Sequence, residues 1–411
     1  LPRNSRLHLF EGYGVELEYA IVGADTLDVV PLADDLIKAE RGRYATDAEV
    51  GAMGWSNEFA RHVIEVRNLR PVPDLAALAP LFRESVGRMN AHLAPMGARL
   101  MPGSMHPWMD PARETRLWER RNRRIYAAYD RIFGCRSHGW ANIQSMQLNL
   151  PFADDGEFAR LHAALRLVLP LLPALTASSP LREGRLTGLM DTRIAEYRRN
   201  QECVPSVAGD LVPETARGRA EYERTVLAPM YRAIAPLDPG GLLRHEWLNS
   251  RGAIARFDRS AIEVRLADIQ ECPRADVAVA MFVARIAQLL VEERWTGLPA
   301  QEAWDAKRLL SILLGTARDA EEAVIGDADY LRAFGYPRAR ARAGDLLVHL
   351  AAFLVEETPG SLDPLRAIFR RGTLARRIAR ALGPEAGRGR MREVYEELCE
   401  CLARGTLFRA I

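Results

Sequence analysis

Several segments of this chain alternate apolar and polar residues, and their polar positions hold carboxylates, amides and arginines. Residues 14–22, 62–68 and 142–150 follow this period of two, the signature of a strand with one buried face. Residues 252–257 and 261–266 read as adjacent strands around the turn Asp258-Arg259-Ser260. Between these segments the period becomes helical. Residues 74–93 follow Pro71 and Pro73 and carry apolar residues at helical spacing. Residues 111–133 predict one long, arginine-rich helix. Residues 157–177 predict a strongly apolar, buried helix kinked at Pro170 and Pro173.

After Pro273 the pattern is helical throughout, over residues 275–293, 301–314, 343–357, 365–382 and 392–403, with no convincing strand. The expected class is therefore α+β. A mostly antiparallel sheet arises from about residues 1–272, with helices on one face, and an all-helical part spans about residues 273–411. No repeat or low-complexity linker divides the chain, so residues 1–411 are read as one structural unit.

The strand periodicity also sorts side chains by face. In Val15-Glu16-Leu17-Glu18-Tyr19 the two glutamates share one side. Glu65 and Arg67 share a side, as do Gln147 and Asn149, and Glu263 and Arg265. Each pair alone fits an amphipathic strand with a solvated face. Together they gather carboxylates on one surface if the strands share a sheet. Two carboxylates about 4 Å apart repel by roughly 4 kcal/mol at an effective dielectric of 20. Such a cluster calls for cations. Oxygen ligands suit Mg²⁺ or Mn²⁺, and neighbouring arginines suit phosphate oxygens. No Walker loop and no G-x-G-x-x-G opening a helix is present.

Composition narrows the setting. The 411 residues are 48% hydrophobic and 27% charged, with a net charge of +2. That is a globular balance which gives no reason to expect nucleic acid or an anionic membrane as partner. Only Lys38 and Lys307 are lysines, so 54 of the 56 basic residues are arginine. Arginine runs such as residues 120–124 are accordingly expected to be a solvated helix face. The five cysteines (Cys135, Cys203, Cys272, Cys399 and Cys401) are scattered and form no C-x-x-C pair, which fits a reducing cytoplasm. No apolar run reaches the ~18 residues that span a bilayer. Residues 1–10 are polar and basic, without the apolar stretch of a signal peptide.

The ordered motifs resemble the bacterial and plant glutamate–cysteine ligases and their carboxylate–amine ligase relatives. Gly14-Val15-Glu16-Leu17-Glu18-Tyr19 resembles their opening strand, and Asn57-Glu58-Phe59 to Ile64-Glu65-Val66 a second acidic strand. Ser145-Met146-Gln147-Leu148-Asn149-Leu150 resembles the central strand. Ala174-Leu175-Thr176-Ala177-Ser178-Ser179-Pro180, with Gly184, Thr187-Gly188 and Arg193, resembles the stretch that follows it. Ile262-Glu263-Val264-Arg265 with Asp268 resembles the late acidic strand. The likeness covers about residues 10–295.

The resemblance implies a glutamine-synthetase-like fold, a curved antiparallel sheet serving as catalytic floor. It implies an ATP-dependent, ADP-forming carbon–nitrogen ligase working through an acyl phosphate. Glutamate would be joined to cysteine or another amine, with a place in glutathione biosynthesis. Metal ligation falls to Glu16, Glu18, Glu58, Glu65, Gln147 and Glu263. Arg265 and Glu263 are the catalytic pair, and Arg193, Asn149 and Arg67 bind nucleotide or substrate. The partners implied are ATP and amino-acid and amine substrates, and a homo-oligomer is compatible with them. Gln147 departs from the histidine that many relatives carry, although an amide oxygen also ligates Mg²⁺. The alternative is a non-catalytic, nucleotide- or metal-binding descendant acting through a protein partner.

Two further features have bland readings beside functional ones. Met105-His106-Pro107-Trp108-Met109-Asp110-Pro111 is either a rigid turn packed on the core or a substrate loop. Cys135 and His138 lack the signature of a nucleophile–base pair.

Overall fold

In a computed structural model, which describes residues 6–356 and 358–409, the acidic alternating segment becomes the middle strand of an eight-stranded sheet. Leu1–Ser5, Glu357, Ala410 and Ile411 lie outside the described residues, and with them the start of the basic N-terminal stretch and the expected helix end at 357. The strands are β1 (Gly14–Gly23), β2 (Asp47–Val50), β3 (Met53–Asn57), β4 (Val63–Asn68), β5 (Ala98–Met101) and β6 (Ser145–Pro151). A small hairpin of β7 (Leu181–Arg182) and β8 (Arg185–Leu186) stands apart, followed by β9 (Ala253–Arg256) and β10 (Ala261–Asp268). The order is β2-β3-β4-β1-β6-β10-β9, with β5 also on β1, and every pairing in the sheet is antiparallel.

Period-two alternation decides what each face does. Val15, Leu17 and Tyr19 join Ile64, Val66, Met146, Leu148, Ile262 and Val264 in the main apolar cluster. The helices Leu78–Leu93, Asp155–Val168 and Pro273–Val291 pack on this face. Each fully buried aliphatic side chain contributes about 1.5–3 kcal/mol, so a one-residue register slip would be costly. Pro170 and Pro173 act as expected. The helix Asp155–Val168 passes through the 3₁₀ turn Leu169–Leu171 into Leu172–Thr176. Asp155–Thr176 is long and apolar enough to cross a membrane by composition, yet 94% of its apolar window is buried inside the fold.

The opposite face changes character along β1. Glu16 and Glu18 occupy its first half, whereas Ala20 and Val22 join a second apolar cluster with Met101, Trp108, Ile378, Tyr395 and Leu398. The helices Leu374–Leu382 and Arg388–Arg404 thus cover one end of the acidic face. They are tied down by the buried pair Arg377–Glu271, at 2.6 Å, and by Arg377 donating to the Phe408 carbonyl. The expected cover on one face is therefore joined by C-terminal helices on the other.

Five local expectations are corrected. Residues 111–133 are not one helix: Pro111–Glu114 and Arg123–Phe133 are separated by extended backbone. There Arg61 donates its amide to the Arg116 carbonyl and Trp118 donates to Phe59, so tertiary pairing overrides helix propensity. Arg120 lies in this break and forms two bonds to the nearly inaccessible carboxylate of Asp34, at 2.9 and 2.7 Å. The arginine run is therefore not simply a solvated helix face. Residues 365–382 form two helices, Asp363–Arg371 and Leu374–Leu382, interrupted at Gly372 with φ 90°. Residues 301–314 fall across Leu298–Glu302 and Ala306–Asp319, because Asp305 caps the second helix. The helical part also holds a strand pair, Val324–Ile325 with Ala341–Arg342.

Candidate active site

Strand register brings the acidic residues into one neighbourhood. Glu18 lies opposite Glu65, and Glu16 lies opposite both Arg67 on β4 and Gln147 on β6. Glu263 lies opposite Asn149. A β-bulge then interrupts β10. Val264 pairs with Leu148 and Ala267 with Met146, so Arg265 and Leu266 together face Gln147. Leu266 belongs to the apolar cluster and Arg265 lines the opposite face.

These side chains line one cavity of about 390 Å³. Its floor is Glu16, Glu18, Glu65, Arg67, Gln147, Glu263 and Arg265, and Glu58 and Arg193 complete the set expected from sequence. Asn149 is the exception among those residues. It is not among the lining residues and donates from Nδ2 to Glu16 Oε1 at 3.1 Å.

The carboxylates fall into two groups. Glu18, Glu58 and Glu65 each offer an oxygen within 4.8 Å of the others. Glu263 is instead gripped by arginines: Arg265 bonds its Oε1, with Nε at 3.1 Å, and Arg256 Nη1 lies 3.2 Å from Oε2. Around the first group, Glu18 accepts from the Ser145 amide and from Gln147 Nε2, both at 2.8 Å. Glu65 Oε1 accepts from Ser56 Oγ at 2.6 Å and Arg67 Nη1 at 2.7 Å.

Electrostatics follows this division. Loss of solvation, with Glu65 beside it, pushes Glu18 up to about 7 despite help from Ser145, Arg193 and Gln147. Loss of solvation and neighbouring carboxylates hold Glu16 and Glu58 well above the usual range. Burial would also raise Glu263, but the guanidinium of Arg265 and then that of Arg256 hold it below its ordinary value. Desolvation disfavours the charged form of Arg265, yet Glu263 overrides it and raises the pKa. The acidic group is thus short of positive charge, while the Glu263 group is neutralised by the protein itself.

Sequence reasoning missed the walls. Phe59, Tyr126, Tyr129, Trp140 and Trp247 line the cavity, along with Tyr197, Asn200, Gln201, Arg256 and Arg259. Tyr126 and Tyr129 come from the helix Arg123–Phe133, whose i, i+3 aromatic spacing was the available signal. Phe59 packs edge-on to both, with centroids 5.1 and 5.9 Å away. The His106–Trp108 loop lies elsewhere. His106 bonds the Leu27 carbonyl at 2.7 Å and Trp108 packs against Tyr395, so this is the packed turn. Cys135 is buried with its thiol pushed up by desolvation, and His138 pairs with Glu183.

The cavity thus has an antiparallel floor of carboxylates and arginines backed by apolar helices. The fold matches the crystal structure of a glutamate–cysteine ligase from Francisella tularensis in complex with AMP, with a TM-score of 0.62 at 11% identity over 98% of this chain and 89% of that one. Residues 13–397 match glutamate–cysteine ligase family 2, and the chain belongs to this family. Membership makes it an ATP-dependent ligase of this superfamily and leaves the acid and amine open. An uncharacterized protein of Archaeoglobus fulgidus is 31% identical over 96% of this chain and 99% of its own length. A provisionally named glutamate–cysteine ligase 2 of Salinispora tropica is 26% identical over 90% of this chain and 89% of its own.

Proposed function

We propose that the protein activates the carboxylate of an amino acid, glutamate in our reading, with ATP and joins it to the amine of cysteine or another amino compound. The observation that carries this reading is the meeting of Glu18, Glu58 and Glu65 within 4.8 Å, in the same cavity as Arg193, Arg256 and Arg265. The donor set fits a hard divalent cation. It offers carboxylate oxygens and no thiolate or imidazole, and two of its members are pushed up by loss of solvation and then by the neighbouring carboxylates, both of which a bound cation would offset. Glu18, Glu58 and Glu65 would hold Mg²⁺ or Mn²⁺, with Glu16 and Gln147 assigned to the same metal centre; Glu263, assigned to it by the resemblance, would join them only by giving up one of its bonds to Arg265 or Arg256. When bound, such ions neutralise phosphate and carboxylate charge.

The chemistry is then a matter of placement. The substrate carboxylate oxygen attacks the γ-phosphorus of ATP. A new P–O bond forms as the bond to the leaving ADP oxygen breaks, giving an acyl phosphate. The amine attacks the acyl carbon, the C–N bond forms, and phosphate leaves with the acyl oxygen while the nitrogen sheds a proton. Phosphoryl transfer needs alignment and charge neutralisation more than covalent help. Arg265, held by Glu263, is assigned to the transferred phosphoryl oxygens. Arg193 and Arg67 are assigned to nucleotide or substrate, and Asn149 steadies Glu16. The five free cysteines support a reducing, cytoplasmic setting.

The test is ADP release from ATP and Mg²⁺ with amino acids and amines supplied singly and in pairs. Release that requires one acid–amine pair is the expected result. A protein that binds nucleotide yet releases no ADP with any pair would instead be the non-catalytic descendant.

A further inference from the structure

The β-bulge in β10 has a second effect. Two residues facing one shift the parity of the strand, so Asp268 pairs with Ser145 on the cavity side. Had β10 continued from Glu263 with regular alternation, residue 268 would share the face of Val264 and point into the apolar cluster. Asp268 is fully buried and saturated with donors. Its Oδ2 accepts from the Ser178 amide and Ser179 Oγ, both at 2.8 Å, and its Oδ1 accepts from Arg193 Nε at 2.5 Å.

Arg193 is held on three sides. Besides the bond from Nε, its Nη1 reaches the Arg265 carbonyl at 3.5 Å, and its backbone amide donates to Ser179 Oγ at 3.2 Å. Asp191 caps the helix Thr192–Arg199 through the Ile194 amide and makes no bond to the guanidinium. Arg193 is 1% exposed, lines the cavity, and leaves Nη2 without a partner. A buried guanidinium N–H without an acceptor costs free energy unless a ligand supplies one.

We propose that Asp268 is a positioning residue, brought to the cavity side by the bulge and locked by Ser178 and Ser179, which fixes Arg193 so that Nη2 meets an anionic oxygen of the ligand. This rests on the ligase reading for the identity of that oxygen, a carboxylate of the acid or a phosphate of the nucleotide. A charged donor fixed before binding loses little freedom when the ligand arrives.

Calorimetry separates the two sources without relying on turnover. One arm measures the Kd of AMP-PNP with Mg²⁺; the other measures the Kd of L-glutamate with AMP-PNP present. Arg193→Lys keeps a cation for Asp268 but has no second nitrogen to present. It should raise one of the two Kd values about tenfold or more, leave the other within about threefold, and melt near the parent. Asp268→Asn should weaken the same ligand, and the double variant should be no weaker than the worse single one. If Asp268→Asn fails to fold, Ser179→Ala should shift the same Kd by a smaller factor. Parental Kd values in Arg193→Lys, or additive losses in the double variant, would overturn the proposal. A parent that binds these ligands but releases no ADP with any acid–amine pair overturns the ligase reading and leaves this one standing.

Discussion

Glu18 and Glu65 stand directly opposite each other on neighbouring antiparallel strands, with their carboxylates on the cavity face and Glu58 close to both. Like charges at opposed positions are destabilising by roughly 0.2–1 kcal/mol on an ordinary sheet surface. Here the pair is largely shielded from water, at 8% and 7% exposure, so the penalty is larger. Sheet stability alone gives no reason for this arrangement, whereas cation binding does.

Glu65→Gln tests that trade. The amide oxygen can still accept from Ser56 and Arg67, as Glu65 Oε1 does, and the amide nitrogen can donate to Glu18 or Glu58. In the presence of a chelator the variant should be at least as stable as the parent. Added Mg²⁺ should raise the melting temperature of the parent and not that of the variant. A variant that melts lower in chelator, together with a parent indifferent to Mg²⁺, would show that the glutamates form a structural network.

A second prediction concerns Asp34, which joins two distant parts of the chain. It accepts two bonds from Arg61, at 3.1 and 2.7 Å, and two from Arg120. Burial would raise its pKa, but these guanidiniums hold the carboxyl below its ordinary value. A depressed carboxyl contributes stability above its unfolded pKa, and that contribution disappears as pH falls through the folded value. Asp34→Asn should cost roughly 1–3 kcal/mol at pH 7, towards the lower end because Arg120 is 37% exposed. In denaturant unfolding the gap between parent and variant should hold from pH 7 to about 5 and close below pH 4. An unchanged gap at pH 3 would mean that the charge contributes nothing.

Much of this site can be read from the sequence because strand periodicity fixes faces. Glu16, Glu18, Glu65, Glu263 and Arg265 all follow from i, i+2 spacing once their strands share a sheet. Glu58 lies just past the end of β3, where no period assigns a face, and only resemblance points to it. Tyr126, Trp140 and Trp247 come from separate elements whose meeting depends on tertiary contact. The break at residues 115–122 is invisible to helical spacing, because it is made by bonds to Phe59 and Arg61 far away in the chain. The role of the C-terminal helices is equally hidden. Their apolar stripes show burial, but not that they cap the same sheet face that carries the acids.

Gly139 tests how tightly the cavity wall is packed. It lies in the short helix His138–Ala141, against the end of the helix Thr192–Arg199. A Cβ there would come within 1.7 Å of Asn200 Oδ1 and 2.5 Å of the Glu196 carbonyl. Backbone cannot yield as a flexible side chain can, so the two helices must separate. Gly139→Ala should cost about 1–3 kcal/mol. Because Trp140 and Asn200 both line the cavity, it should also weaken nucleotide or substrate binding. A variant with parental melting temperature and parental ligand affinity would show that the contact is loose.

Arg265 offers the sharpest test of catalysis. It follows Glu263 by two residues, bonds its carboxylate, and faces the cavity from the bulge. Glu263 is also held by Arg256, so losing the Arg265 fork does not leave that carboxylate without a cation. Arg265→Lys keeps the charge and loses the planar, two-pronged donor. If the guanidinium acts on charge that develops during phosphoryl transfer, kcat should fall roughly 10²-fold or more while ATP affinity changes little. The melting temperature should stay close to that of the parent, since Arg256 still neutralises Glu263. A loss of ATP affinity with kcat unchanged would make Arg265 a ground-state phosphate binder. Parental turnover would reduce it to an ion-pair partner of Glu263, and the phosphoryl-stabilising role would then pass to Arg67, Arg193, Arg256 or Arg259, the other arginines on the same cavity.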